Sequence, residues 1–205
     1  RHQNVILELK SKSNNIRFFL QREIPRNLIV TFSLNTPAII ANEEHLSASL
    51  DARLAAAEAL AARGILVGFH LHPMVWYEGW QNDYGALFER LLRCFDPSGV
   101  AMVSLGTLTF IKPVVKKLRS RGLRSKILQM PLADANGKLS YPLQIKRELF
   151  KFAADALSPW RERVFFYLCM EDASLWREVL GCEYESNDAF EEAMKAAYFA
   201  KIRQR

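Results

Sequence analysis

Residues 28–34, Leu28-Ile29-Val30-Thr31-Phe32-Ser33-Leu34, and residues 65–72, Ile65-Leu66-Val67-Gly68-Phe69-His70-Leu71-His72, decide the fold. Both runs are almost continuously apolar. A strand wetted on one face alternates apolar and polar residues; a run apolar on both faces is what a parallel sheet covered on both sides needs. Val100-Ala101-Met102-Val103-Ser104-Leu105 repeats the pattern. The three runs are spaced by roughly 35 residues, the length of a strand-crossover-strand unit. Earlier, Val5-Ile6-Leu7-Glu8-Leu9 reads as a first strand closed by the polar cluster 11–15. Later, Val164-Phe165-Phe166-Tyr167-Leu168-Cys169 reads as a further one.

The intervening segments carry helical spacing. Leu50, Leu54, Ala57 and Ala61 recur every three or four residues, with Gly64 as the stop. Tyr84, Leu87, Phe88, Leu91, Leu92 and Phe95 form a second apolar stripe, with Asn82 or Asp83 as its cap. Pro113 opens a third helix that Gly122 ends. Residues 133–138 read as a turn, 142–157 as a helix, and 173–180 as a short helix stopped by Gly181. Residues 188–200 read as a terminal helix with Asp188 and Glu191 in a capping-box-like pair. No linker interrupts the chain, so 1–205 is one domain: βα units over 1–122 and a C-terminal extension over 123–205. The fold class is α/β with parallel strands. The residues alone leave a barrel and an open doubly wound sheet both standing.

The 205 residues are 50% apolar and 24% charged, an ordinary globular composition. No apolar run reaches about 18 residues, so no membrane span is expected. The formal charge of +6 is compatible with an anionic partner without requiring one. Cys94, Cys169 and Cys182 are odd in number and widely spaced, which argues for a reducing, cytoplasmic setting without disulfides. The chain begins with Arg1 and its first methionine is Met74, so the expectation is the C-terminal part of something longer. No G-x-G-x-x-G follows a strand and no phosphate-binding G-x-x-x-x-G-K-[ST] is present, which counts against the common nucleotide folds.

In α/β sheets and barrels, ligands bind at the carboxyl ends of the strands. Those tips here are 10–15, 33–36, 72–80 and 106–109. Ser33 and Asn35 alternate on a strand and share a face, suited to hydrogen-bonding a ribose or carboxylate; the plain alternative is that they close the strand into a turn. Lys12 offers a cation to an anionic ligand, or is a solvated loop lysine. His70 and His72 also share a face, a metal-ligand pattern in barrel hydrolases. The other histidines are His2 and His45, and Glu78 is the one carboxylate at that tip, so the favoured reading has His70 interior and His72 lining a pocket. Trp76, Tyr77 and Trp80 with Glu78 are dense for one loop, and either stack on a flat ligand or pack over the sheet's end. Cys169 reads as a buried thiol.

Taken in order, these tips carry a resemblance. Leu9 to Asn15 (L-K-S-K-S-N-N), 32–36 (F-S-L-N-T), 50–57 (L-D-A-R-L-A-A-A), and 68–74 (G-F-H-L-H-P-M) followed by Glu78-Gly79-Trp80 resemble the C-terminal portion of the spore photoproduct lyase family over roughly 5–112. That resemblance implies a partial TIM-type (β/α) barrel truncated at its N-terminus. It implies a radical S-adenosylmethionine (SAM) enzyme in which a [4Fe-4S] cluster cleaves SAM. The resulting 5′-deoxyadenosyl radical then abstracts hydrogen from a thymine dimer in DNA. It implies that Lys12 and Ser33 contact SAM, Ser33 at the ribose, with Asn35 a weaker member of that tip. His72, Trp76, Tyr77, Glu78 and Trp80 would lie beside SAM and substrate, and DNA is the implied partner. The family's C-x-x-x-C-x-x-C cluster loop is absent: the cysteines are 75 and 13 residues apart. Cluster ligands are therefore expected upstream of Arg1. The competing readings are a non-enzymatic module binding nucleic acid, and a metal-dependent hydrolase using His70 and His72.

Overall fold

The computed structural model describes residues 4–122, 125–135 and 137–204; His2 and Asn136, which figured in the readings above, lie outside them. The first half runs β1 (Leu7–Ser11), α1 (Arg17–Gln21), β2 (Leu28–Ser33), α2 (Pro37–Glu43), α3 (Leu50–Ala62), β3 (Leu66–Met74), α4 (Trp80–Cys94) and β4 (Val100–Thr107). An insertion follows: β5 (Thr109–Ile111), α5 (Lys112–Ser120), α6 (Lys126–Gln129), β6 (Ala133–Ala135) and β7 (Lys138–Ser140). The chain then returns through α7 (Leu143–Ala156), β8 (Phe165–Leu168), α8 (Ala173–Leu180) and α9 (Asn187–Arg203).

The main sheet has the order β1-β2-β3-β4-β8, and every pairing is parallel. Each strand lies beside the one before it. Right-handed crossovers in one direction put all the connecting helices on the same face, which is barrel winding rather than double winding. The packing agrees. Leu28, Val30 and Phe32 of β2, Val67, Phe69 and Leu71 of β3, and Val103 and Leu105 of β4 pack in one core with Leu54 of α3, Phe88 of α4 and Phe150 of α7. The opposite, inner face carries Ile29, Leu66, Ala101 and Met102, packed under Tyr198 of α9. The main sheet is thus an arc of a (β/α) barrel whose lower interior is plugged by the terminal helix.

Several local expectations shift. Gly79, in the left-handed region at φ 84°, precedes α4, so that helix starts before Asn82 and Asp83 instead of being capped by them. Only glycine reaches this conformation without a Cβ penalty. Ser186, not Asp188, caps α9: its hydroxyl accepts from the Ala189 amide. Residues 133–138 are not merely a turn; β6 and β7 pair antiparallel and β7 pairs β5 in a small second sheet. Three-residue strands are too short for a period-2 signal. No helix among the described residues is long and apolar enough to cross a membrane.

Candidate active site at the carboxyl rim of the barrel arc

Strand alternation sends Glu8 and Lys10, Thr31 and Ser33, His70 and His72, Ser104, and Tyr167 to the inner face, above the apolar layer that α9 covers. Ser33, His70, Ser104 and Tyr167 stand in register across four adjacent strands. This is a polar row set into a sheet whose other face is apolar apart from Ser11 and Thr107 at strand ends.

The row is internally wired. His70 Nε2 lies 2.7 Å from the Glu8 carboxylate, which also accepts from the Thr31 hydroxyl at 3.0 Å. Burial pushes the Glu8 carboxyl up, but the His70 and Thr31 hydrogen bonds outweigh it and the net shift is downward. Glu8 is therefore ionised, so Nε2 is the donating nitrogen and Nδ1 is the other. That Nδ1 is buried and has no hydrogen-bond partner, and neither has Ser33 Oγ in the next strand. Buried polar atoms are normally satisfied, so two unpartnered ones on register neighbours are notable. His72 Nε2 is 2.6 Å from Ser104 Oγ, and its ring meets that of His70 edge to face at 5.2 Å. Burial first, then the nearby Lys10 and His70, lowers the His72 pKa to about 3, so its imidazole is neutral at physiological pH. A Cβ on Gly106 would stand 3.1 Å from His72 Cδ2 and 3.5 Å from Cys169 Cβ, so that position is kept bare by its neighbours. Burial lowers the Lys10 ammonium and raises the Cys169 thiol, and each group opposes the other's shift. Burial also pushes the Tyr167 phenol up to about 12.

Lys12 stands just beyond β1, and its ammonium pairs with the Glu44 carboxylate. Glu44 Oε2 also receives Arg53 at 2.7 Å. Arg53 is completely buried and spends its fork on four acceptors: Glu44, Ser47 Oγ at 2.6 Å, the Ala48 carbonyl at 2.8 Å and the Ser33 carbonyl at 2.8 Å. One guanidinium thus joins the end of β2 to the group that holds Lys12. The Leu50 to Ala57 block quoted above contains this arginine; its site connection was hidden because burial of a charge is not visible in sequence.

Most of the other expected site residues are drawn into the packing between the β2 and β3 tips. Asn35 is fully buried; its Nδ2 donates to the Pro73 carbonyl at 2.8 Å, and its Oδ1 accepts from the Tyr84 hydroxyl at 2.8 Å and the Thr36 amide at 3.0 Å. It fastens the β2 tip to the β3 tip. Tyr77 is buried, donating to Asp83 at 2.6 Å and sharing a 2.7 Å hydrogen bond with Thr36. Trp80 packs among Tyr84 and Phe152. Trp76 is half-buried with an unpartnered indole N–H, and Glu78 is exposed. The aromatic cluster is therefore mostly scaffold, and His72 is the member of that segment on the inner face. Cys169, read as buried, is half-exposed there, immediately beyond β8. Glu8, Ser104 and Tyr167 went unnoticed because each is a single polar residue in an otherwise apolar run, and Lys10 reads in sequence only as part of the polar cluster that closes the first strand. No group of three His, Cys, Asp or Glu side chains among the described residues is placed to hold a metal ion, which leaves the hydrolase reading without a third ligand beside His70 and His72. Cys94 is exposed on α4 and is separated in sequence from Cys169 and Cys182, so these thiols form no cluster loop.

Comparison with known proteins bears on this arrangement. The family model "Spore photoproduct lyase" matches residues 3–131, past the 112 reached by the motifs into α5 and α6. The spore photoproduct lyase of Geobacillus is 30% identical over 98 residues, 47% of this chain and 29% of that protein. Those of Clostridium acetobutylicum and Bacillus subtilis are 36% and 40% identical over 61 and 60 residues, each 18% of the relative. A solved spore photoproduct lyase superposes with a TM-score of 0.70 at 23% identity, covering 80% of this chain and 51% of that one. Another, complexed with dinucleoside spore photoproduct, gives 0.67 at 22% over the same shares. A substituted form with bound AdoMet and dinucleoside spore photoproduct gives 0.68 at 22%. The chain thus spans less than a third of these curated relatives and about half of the solved structures. With more than half of its residues matched in sequence and the barrel arc shared, the chain belongs to the spore photoproduct lyase family.

Proposed function

We propose that this chain forms the SAM-binding and substrate-facing wall of a radical SAM lyase that repairs spore photoproduct, a thymine dimer, in cytoplasmic DNA. The observation that carries the reading is the buried, unpartnered Ser33 hydroxyl at the tip of β2, beside the unpartnered His70 Nδ1. Such atoms fit a ligand rich in hydroxyl groups, and a ribose is one. Lys12, held at the same rim by Glu44, supplies a positive charge for an anionic group of that ligand. SAM, when bound, supplies the adenosyl group from which the hydrogen-abstracting radical derives. The chain's own residues bind and orient: Ser33 and His70 meet the sugar, Lys12 fixes the charged end, and neutral His72 with Ser104 lines the inner wall next to substrate. The thiols do not fit a cluster, so its ligands are assigned to residues outside these 205.

Equilibrium dialysis against labelled SAM tests the reading. Ser33→Ala and Lys12→Ala are each expected to weaken binding about tenfold or more, the effect of one lost hydrogen bond to a charged or buried partner. Unchanged affinity in both variants overturns it. Anaerobic incubation with iron and sulfide is expected to leave the chain without a cluster; a stoichiometric cluster would refute the assignment of its ligands elsewhere.

A further inference from the structure

From residue 97 to residue 133 the sequence contains no Asp or Glu, but it contains Lys112, Lys116, Lys117, Arg119, Arg121, Arg124 and Lys126. These seven charges exceed the formal +6 of the entire chain. Arg124 lies outside the described residues; the others are concentrated on α5 and the start of α6. Val115 anchors α5 to the protein, while Lys116, Lys117, Arg119 and Arg121 are exposed. Among the described residues these four have no carboxylate partner. Elsewhere exposed cations are commonly neutralised: Arg147 and Lys151 share Glu178, Arg177 pairs with Glu183, and Lys195 lies between Glu191 and Glu192. An ordinary solvated face mixes signs in that way; beyond Lys112, which pairs with Asp134, α5 does not.

This basic element is fixed to the rim. Glu43 at the end of α2 accepts from the Ser125 hydroxyl at 2.8 Å and the Lys126 amide at 2.7 Å. The Lys126 ammonium sits 4.7 Å from the centre of the Tyr77 ring. The start of α6, which packs against α5, is thereby tied to segments that follow the carboxyl ends of β2 and β3, and α5 itself begins five residues beyond the end of β4.

We propose that α5, with Arg121 at its end, forms a docking face for the phosphate backbone of duplex DNA, holding the duplex against the rim. The inference rests on the DNA reading above and adds the surface that grips the polymer. Phosphate contacts position a duplex without reading its sequence, and unpaired cations at short spacing on a rigid helix are what such contacts require. Of its apolar side chains Val115 is buried, Leu118 is half-buried and Val114 is exposed, which leaves little apolar surface to enter an anionic membrane.

Fluorescence anisotropy of a labelled duplex, titrated with the 205-residue chain at 50–200 mM salt, tests this. Lys116→Gln/Lys117→Gln/Arg119→Gln is expected to reduce the slope of log affinity against log salt by about two to three, since each phosphate contact contributes about one. The control, Arg147→Gln/Lys151→Gln/Lys195→Gln, removes the same net charge from paired sites and is expected to leave the slope nearly unchanged. Matched melting temperatures exclude misfolding as the cause. Equal losses in the two triple variants, or none in the first, overturn the α5 assignment alone. Absence of duplex binding by the parent chain at 50 mM salt overturns both it and the DNA reading. Tighter binding to phosphatidylserine vesicles than to duplex also rejects the proposal.

Discussion

Arg53 is the residue on which two implied ligand contacts depend. Removing a guanidinium from water costs several kcal/mol unless its charge and donors are met, and here all four acceptors are protein atoms. Arg53→Ala is expected to cost about 3–5 kcal/mol in urea unfolding, because Glu44 and two backbone carbonyls lose their partner. Arg53→Lys recovers only part, since an ammonium cannot span the fork. His72 gives a pH signature. Its folded pKa of about 3 lies below its ordinary 6.5, so the unfolded chain takes up the proton first as pH falls. The stability associated with its neutral form is complete above pH 6.5 and is lost as pH drops toward 3. His72→Gln should flatten the dependence of unfolding free energy on pH by about 2–4 kcal/mol between neutrality and pH 4. An identical pH dependence in variant and parent would contradict the placement of His72.

At the level of elements, the β3 tip is held by a side chain from the helix that follows it. Tyr84 of α4 lies 2.9 Å from the Val75 amide, with its oxygen as acceptor, and donates to Asn35. Tyr84→Phe keeps the ring and leaves the Val75 amide unsatisfied, at a cost of about 1–3 kcal/mol. Hydrogen exchange should show the Val75 amide accelerated while amides of β8 are unaffected. The second element of consequence is α9. It covers Ile29, Leu66 and Met102 through Tyr198, with Met194 and Ala197 alongside. Tyr198→Ala is expected to destabilise by about 3–5 kcal/mol, the range for truncating a large buried aromatic. Increased binding of a hydrophobic dye should accompany it, reporting the uncovered inner face.

For the whole molecule, the arc has an open side. β1 is the edge of the sheet, and Val5, Leu7 and Leu9 along it are exposed, with Phe18 nearby in sequence also exposed. An edge strand with unpaired backbone groups and apolar side chains is a template for further pairing. Sedimentation velocity should therefore show concentration-dependent association of the chain, reduced by Leu7→Lys/Leu9→Lys. A monomer across the micromolar range would rule this out. The edge lies next to Lys12, so whatever pairs with β1 also approaches the carboxyl rim of the strands.

Alternating apolar runs and helical stripes were readable in the sequence because burial on both faces is a local property of a strand's composition. The rim residues Lys12 and Ser33 were readable because strand ends are marked by polar clusters. The winding direction was not. It became visible only when the order β1-β2-β3-β4-β8 placed every connecting helix on one face and α9 on the other. Nor did sequence separate the polar inner face from its scaffold: Asn35, Tyr77 and Trp80 look like rim groups, yet hydrogen bonds and packing from distant segments absorb them. Ser33, His70, Ser104 and Tyr167 lie on four strands, and only parallel register brings them into one row. Local pattern fixes which segments are strands; which of their side chains meet is a property of long-range pairing, which no window of sequence contains.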